Sequence, residues 1–266
     1  MNLTDPGELK ALLLRHGLTP TKKWGQHFLV STRVVDAILQ EAEGFQSALE
    51  VGPGPGVLTL GLSTMLDTVI AMEVDPVAVS ALSESAPLAH VMHEDALRVD
   101  LGPILLGLSE PRILVSNMPY NITGPLLTKF AQNRRHYSKA VLMMQREVGD
   151  RILAGKGNSD AGSLSIYLQS QFDIAKVCSA PPGAFFPPPK VDSVVLRFVP
   201  KETGLGEREE EFFTFVRKGF SMPRKTLYNN LRAFLSEERI ARAGFAATVR
   251  PHQLGVEEWI HLFQTR

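Results

Sequence analysis

The chain has 266 residues, one cysteine, and 28 Lys+Arg balanced by 28 Asp+Glu. The length suits one large domain plus a small one, the charge balance gives no overall pull toward nucleic acid, and the lone Cys178 excludes an internal disulfide framework and fits a reducing cytosol. No apolar run approaches the roughly 20 residues that span a bilayer, and Asp5, Glu8 and Lys10 break any signal-peptide pattern, so the expected setting is cytoplasmic and away from membranes.

Pro6 to His16 reads as an amphipathic helix ended by Gly17 and Pro20. The segment Lys22-Lys23-Trp24-Gly25-Gln26-His27-Phe28-Leu29 follows. Lysines beside aromatics and a glycine suit a phosphate-rich ligand; taken alone, the segment reads more simply as a solvated charged turn. Val34 to Ala42 reads as a helix with Ser31 or Thr32 as its N-cap.

Ser47 to Val51 reads as a strand that runs into Gly52-Pro53-Gly54-Pro55-Gly56 and then a helix from Val57 to about Leu66. Such a turn lets a ligand approach the backbone at a helix N-terminus. The dinucleotide pattern G-x-G-x-x-G fails, because its third glycine would fall on Val57 or Thr59. The spacing is G-x-G-x-G after an acidic residue, Glu50, the form seen in S-adenosylmethionine-dependent methyltransferases. The next strand, Thr68 to Glu73, ends in an acid about 20 positions on, where ribose hydroxyls would find an acceptor. Asp75-Pro76 reads as N-cap and first helical residue, which leaves Glu73 as the better candidate. A third strand, Ala89 to His93, ends at Glu94-Asp95; Asp95 is either a turn residue or an acceptor for a cofactor's adenine amine. His90 and His93 face opposite sides of that strand and have no partners to complete a metal site, so no metal is expected.

Ile113 to Ser116 is an apolar run that reads as a buried parallel strand. At its carboxyl end stand Asn117-Met118-Pro119-Tyr120, where open α/β sheets bind ligands. Asn117 offers a side-chain carbonyl, Pro119 biases Met118 toward extended backbone, and Tyr120 supplies a flat face. Two acceptors beside an aromatic plate suit a planar amine such as that of adenine; a plain strand-to-helix turn uses the same residue types.

Further on, the helix capped by Ile122 to Pro125 runs to about Asn133, Ala140 to Met144 is a strand, and Arg146 to Ala154 is helical. Gly155 to Gly162 is a polar loop, Ser163 to Gln171 a helix, and Ile174 to Ser179 a strand. Gly183 to Lys190 forms a stiff Pro-rich loop that holds Phe185 and Phe186, as core aromatics or as a plate for a base. Val191 to Val199 is the last strand, and Pro200 to Gly206 a linker. Everything from Glu211 on is helical. Arg217, Lys218, Arg224, Lys225, Arg232, Arg239, Arg242 and Arg250 are opposed there only by Glu237 and Glu238, a local excess that suits phosphate contacts.

Taken together these motifs resemble the small-subunit ribosomal RNA adenine N6-dimethyltransferases, the bacterial dimethyladenosine transferases. The likeness runs through Lys23 to Leu29, Glu50 to Gly54, Asn117 to Ile122, Gln145 to Val148, Pro181 to Ser193 and Arg224 to Leu231. It implies an α/β fold, a Rossmann-like seven-stranded class I methyltransferase sheet over residues 1–200, and a small all-α RNA-binding domain over 207–266. It implies an enzyme that moves methyl groups from S-adenosylmethionine to N6 of two adjacent adenines in a hairpin loop near the 3′ end of small-subunit rRNA, as a monomer acting on an immature subunit. Positions matching His27, Leu29, Gly52, Glu73, Asp95 and Asn117 line the family's cofactor site, and those matching Asn117, Tyr120 and Phe185 handle the adenine. Lys22, Lys23, Arg224 and Lys225 are the expected RNA contacts. The chain departs from the family pattern at Met118, Ala161 and Met222-Pro223, which bears on the RNA contacts more than on the chemistry. A non-catalytic assembly factor and a large-subunit rRNA adenine methyltransferase are the alternatives.

Overall fold

The computed structural model describes residues 1–20, 25–246 and 248–266; the expected contacts Lys22 and Lys23 lie outside them. In chain order the elements are α1 (Pro6–Arg15), β1 (Phe28–Leu29), α2 (Thr32–Gln40), β2 (Ser47–Val51), α3 (Val57–Met65), β3 (Thr68–Glu73), α4 (Pro76–Ser85), β4 (His90–His93), α5 (Leu101–Leu106), β5 (Arg112–Asn117) and α6 (Thr123–Gln132). There follow β6 (Lys139–Gln145), α7 (Arg146–Leu153), α8 (Ser163–Gln171), β7 (Phe172–Ala180), β8 (Phe185–Phe186), β9 (Ser193–Pro200), α9 (Glu209–Gly219), α10 (Leu227–Leu231), α11 (Glu237–Arg242) and α12 (Val256–Gln264).

Local chemistry sets the helix starts. Asp5, Asp75 and Asp100 each accept a backbone N–H from the first turn of α1, α4 and α5, and proline stands at the start of α1 and α4. Asp75 therefore caps α4 as its Asp-Pro pair predicts. Helix α5 has no counterpart in the sequence reading: six residues containing Gly102 and Pro103 carry too little periodicity to be seen.

Seven strands form one sheet in the order β4-β3-β2-β5-β6-β9-β7. β3 and β5 flank β2 in parallel, β4 and β6 extend the sheet in parallel on either side, and β9 runs antiparallel to β6. The chain builds outward from β2 through β3 to β4, then crosses back to β5 beside β2. That crossover is the topological switch point of an open α/β sheet, and ligands bind in the crevice outside the carboxyl ends of the strands there. The strand ends that face the crevice are Val51, Glu73, His93 and Asn117. A separate two-stranded ribbon pairs β1 with β8, Phe28 opposite Phe186 and Leu29 opposite Phe185.

The chain divides into two compact units, Met1–Gly149 with Ala175–Pro200, and Asp150–Ile174 with Lys201–Arg266. Helix α8 lies inside the expected 1–200 segment yet belongs to the second unit. The core of the first unit draws Leu9 and Leu12 from α1, Val34 and Ile38 from α2, Leu58 and Leu62 from α3, and Ile113 and Val115 from β5. The second unit packs α8, α9 and α12 around Phe212, Phe215, Trp259 and Phe263, all fully buried. Burial of side chains this size contributes about 1.5–3 kcal/mol each. Gly219 is where Trp259 closes on α9: a Cβ there would stand 2.2 Å from the indole ring.

Candidate active site

The cleft at the switch point is walled on one side by the turn Gly52 to Gly56. Gly52, Gly54 and Gly56 have φ of 71°, 57° and 93°, a region that disfavours any side chain. Gly56 also lets α4 close in, since a Cβ would meet the Ser85 hydroxyl at 2.6 Å. A Cβ on Gly52 would stand 3.9 Å from the Asn117 carbonyl oxygen, in the gap between the turn and the tetrapeptide.

Glu73 at the tip of β3 holds this turn in place. Its Oε2 accepts the Gly54 N–H at 2.9 Å, and its Oε1 accepts the N–H groups of Val74 and Asp75. Burial raises the Glu73 pKa, and the three N–H donors oppose that rise. Oε2 takes one donor, so it keeps acceptor capacity for a hydroxyl. Asp95, after β4, lines the cleft too; its Oδ1 accepts the Leu97 N–H at 2.9 Å. Glu50 on β2 lies beneath the turn, 1 % exposed, and accepts the Thr59 hydroxyl at 2.7 Å. Burial pushes its carboxyl up to about 8, the Thr59 bond opposes this, and the Glu73 charge adds to it.

The opposite wall is the tetrapeptide with residues 25–29 folded over it. Asn117 Nδ2 donates to the His27 carbonyl at 3.1 Å. A main-chain carbonyl only accepts, so the amide nitrogen must face it and the amide oxygen is left as the acceptor for a ligand. Met118 is 1 % exposed and lines the cleft; among the described residues nothing donates to its carbonyl. The Tyr120 ring stacks with the His27 ring at 5.6 Å and 25°. Gln26 reaches across to Asp75, its Nε2 donating to Oδ2 at 2.8 Å.

The structure thus gathers His27, Leu29, Gly52, Glu73, Asp95, Asn117 and Tyr120 around one cleft. Phe185 is not among them. It is 3 % exposed, paired with Leu29 and packed in the core of the first unit, and a plate for a base has to be open to the base. Glu50 and Gln26 also line the cleft without having been singled out as binding residues. The turn pattern marked Glu50 as acidic; nothing in the sequence marks its burial.

Arg224 and Lys225 sit in the second unit on the exposed loop between α9 and α10. Asn230, 3 % exposed, shapes that loop with four bonds: its oxygen accepts from the Ser221 hydroxyl and the Met222 N–H, and its Nδ2 donates to the Met222 and Thr226 carbonyls. Asn230 holds Met222 through its backbone alone, so the unusual side chain at 222 leaves the shape of the loop intact. Arg217, Lys218, Arg232, Arg239, Arg242 and Arg250 are exposed as well.

A sequence model of the family described as Ribosomal RNA adenine dimethylase matches residues 18–265. The protein named ribosomal RNA small subunit methyltransferase A from Geobacter metallireducens is 38 % identical over 251 residues, 90 % of this chain and 91 % of its own. The protein of the same name from Natranaerobius thermophilus is 32 % identical over 99 % of this chain and 97 % of its own. The crystal structure of a dimethyladenosine transferase from Plasmodium falciparum superposes with a TM-score of 0.76, at 25 % identity over 90 % of this chain and 96 % of that one.

Glu50 generates a stability prediction. Its carboxyl is held near 8 in the folded chain against 4.5 ordinarily, so between these values the native state binds the extra proton. Stability from this group is therefore full below about 4.5 and is lost as pH rises toward 8. Glu50→Gln keeps an acceptor for Thr59 and removes the titration. Relative to wild type it should gain stability as pH rises from 5 to 8, by at most about 1.4 kcal/mol per pH unit. Urea unfolding at several pH values reads this out, and parallel curves would mean that Glu50 is ionised in the native state.

Proposed function

The chain belongs to the ribosomal RNA adenine dimethylase family, and we propose that it methylates N6 of two adjacent adenines in a hairpin loop near the 3′ end of small-subunit rRNA, on an immature subunit. It is a methyltransferase of the class I fold and its methyl donor is S-adenosylmethionine. The proposed setting is a monomer in the cytoplasm; no helix among the described residues is long and apolar enough to cross a membrane.

The observation that carries this reading is the locked amide of Asn117. With Nδ2 donating to the His27 carbonyl, Oδ1 is left as an acceptor, and Met118, which lines the same cleft, would supply its main-chain carbonyl as a second. An exocyclic amine has two hydrogens to donate. The N6 lone pair of adenine is delocalised into the ring, and donation to two fixed acceptors draws the nitrogen toward a tetrahedral shape and frees the lone pair. Tyr120 offers the face on which the base stacks once it has left its own stack. Bound S-adenosylmethionine supplies an electrophilic methyl on a positively charged sulfur, with a neutral thioether as leaving group. Glu73 fits its ribose hydroxyls, and Asp95 and the glycine turn fit its two ends. The chain's own task is positioning and electrostatics, with no strong base required. The exposed cations of the second unit would take the RNA backbone.

Asn117→Ala should lower the single-turnover methylation rate at saturating cofactor and RNA by on the order of 10²-fold or more, with RNA affinity little changed. A rate within about threefold of wild type, well under 1 kcal/mol of transition-state stabilisation, would remove Asn117 from the mechanism.

Replacing Arg224 and Lys225 together with Ala should weaken RNA binding and reduce the slope of log affinity against log salt by about one to two. Cofactor affinity, measured by calorimetry, should stay the same. Wild-type RNA binding at every salt concentration would show that this loop is not an RNA contact.

A further inference from the structure

The rings of Tyr120 and His27 form the wall of the cleft on which a base would stack, and both are tied to one short segment, residues 187–193. His27 Nδ1 lies 2.7 Å from the Pro187 carbonyl oxygen. That oxygen accepts, so Nδ1 carries the proton and the imidazole ring is held in one orientation. At the other end of the segment, Ser193 Oγ lies 2.6 Å from the Tyr120 hydroxyl. Ser193 is 0 % exposed and opens β9 opposite Gln145, the last residue of β6. Its hydroxyl is out of reach of bulk water, and Tyr120 is the partner the structure gives it.

The geometry matters because of what else holds the Tyr120 ring. Its backbone follows Pro119 on a turn leading out of β5, and its face is covered on one side by His27. The stack restrains the plane of the ring but leaves the tilt of its far end free. The hydroxyl is the one polar handle at that end, and the strand it is tied to is bonded into the sheet. Burial raises the pKa of the Tyr120 hydroxyl, with the Ser193 bond opposing, so the group stays a neutral O–H that either donates or accepts.

We infer that Ser193 is a positioning residue of the methyl-transfer site: through the Tyr120 hydroxyl it fixes the far end of the ring against which the target adenine stacks, and so aims N6 at the methyl donor. This rests on the reading of the cleft as an adenine N6-methyltransferase site. Ser193 touches neither base nor cofactor in this scheme. Its effect passes through Tyr120 alone and falls on rate rather than affinity. Transfer to N6 depends on alignment of the lone pair, and misplacement by about 1 Å costs up to about 10²-fold.

The test is a double-mutant cycle on single-turnover rates at saturating cofactor and RNA, with wild type, Ser193→Ala, Tyr120→Phe and the double variant. The wild-type rate bears on the function itself; the ratios among variants bear on Ser193. Ser193→Ala should slow transfer about tenfold while calorimetric affinity for S-adenosylmethionine and RNA affinity stay within twofold. Tyr120→Phe keeps the ring and removes its handle, so it should slow transfer to a similar degree. In the Tyr120→Phe background Ser193→Ala should then change the rate by less than twofold. Three results would overturn the inference: Ser193→Ala transferring within twofold of wild type, the two losses multiplying in the double variant, or the Ser193→Ala defect residing in ligand affinity with the saturated rate intact.

Discussion

One hydrogen bond, from the Asn117 side-chain amide to the His27 main-chain carbonyl, constrains the rest of the site. It decides which end of the amide is offered to a ligand. It also requires residues 25–29 to lie across the end of β5, which in turn requires them to be anchored. The β1–β8 ribbon does that, with Phe28 and Leu29 paired to Phe186 and Phe185 and buried in the core. Phe185 therefore serves the site from beneath, as packing for the segment that locks Asn117.

The other half of the cleft depends on two carboxyl groups, both pushed upward by burial but held by different partners. Glu73 takes three backbone N–H donors, which favour its charged form and tie the glycine turn to β3. Glu50 has one hydroxyl donor and full burial, which pushes its carboxyl up to about 8.

Much of this was legible in the sequence, because the elements that build the switch point are written in period and punctuation. The strands Ser47–Val51 and Thr68–Glu73 have the bounds expected from their apolar runs and flanking turns. Asp75-Pro76 capped α4 as the pair requires, and the acids at the strand ends fell where the crevice is. What stayed hidden depends on tertiary pairing. A two-residue strand such as β1 has no alternation to detect, and its partner 157 positions later cannot be inferred from spacing. The same ignorance hid the burial of Phe185, which the family likeness had placed against the adenine. The burial of Glu50, the reach of Gln26 to Asp75, the Ser193–Tyr120 pair and the place of α8 in the second unit are likewise products of the fold, invisible to local pattern.

The most direct test of the central claim is chemical. Small ribosomal subunits lacking adenine dimethylation are incubated with the purified chain and S-adenosylmethionine carrying an isotopically labelled methyl group, and the rRNA is digested and analysed by mass spectrometry. The account predicts labelled N6,N6-dimethyladenosine at two adjacent positions in a hairpin loop near the 3′ end. Absence of label, or label on another base or another atom of adenine, would contradict it.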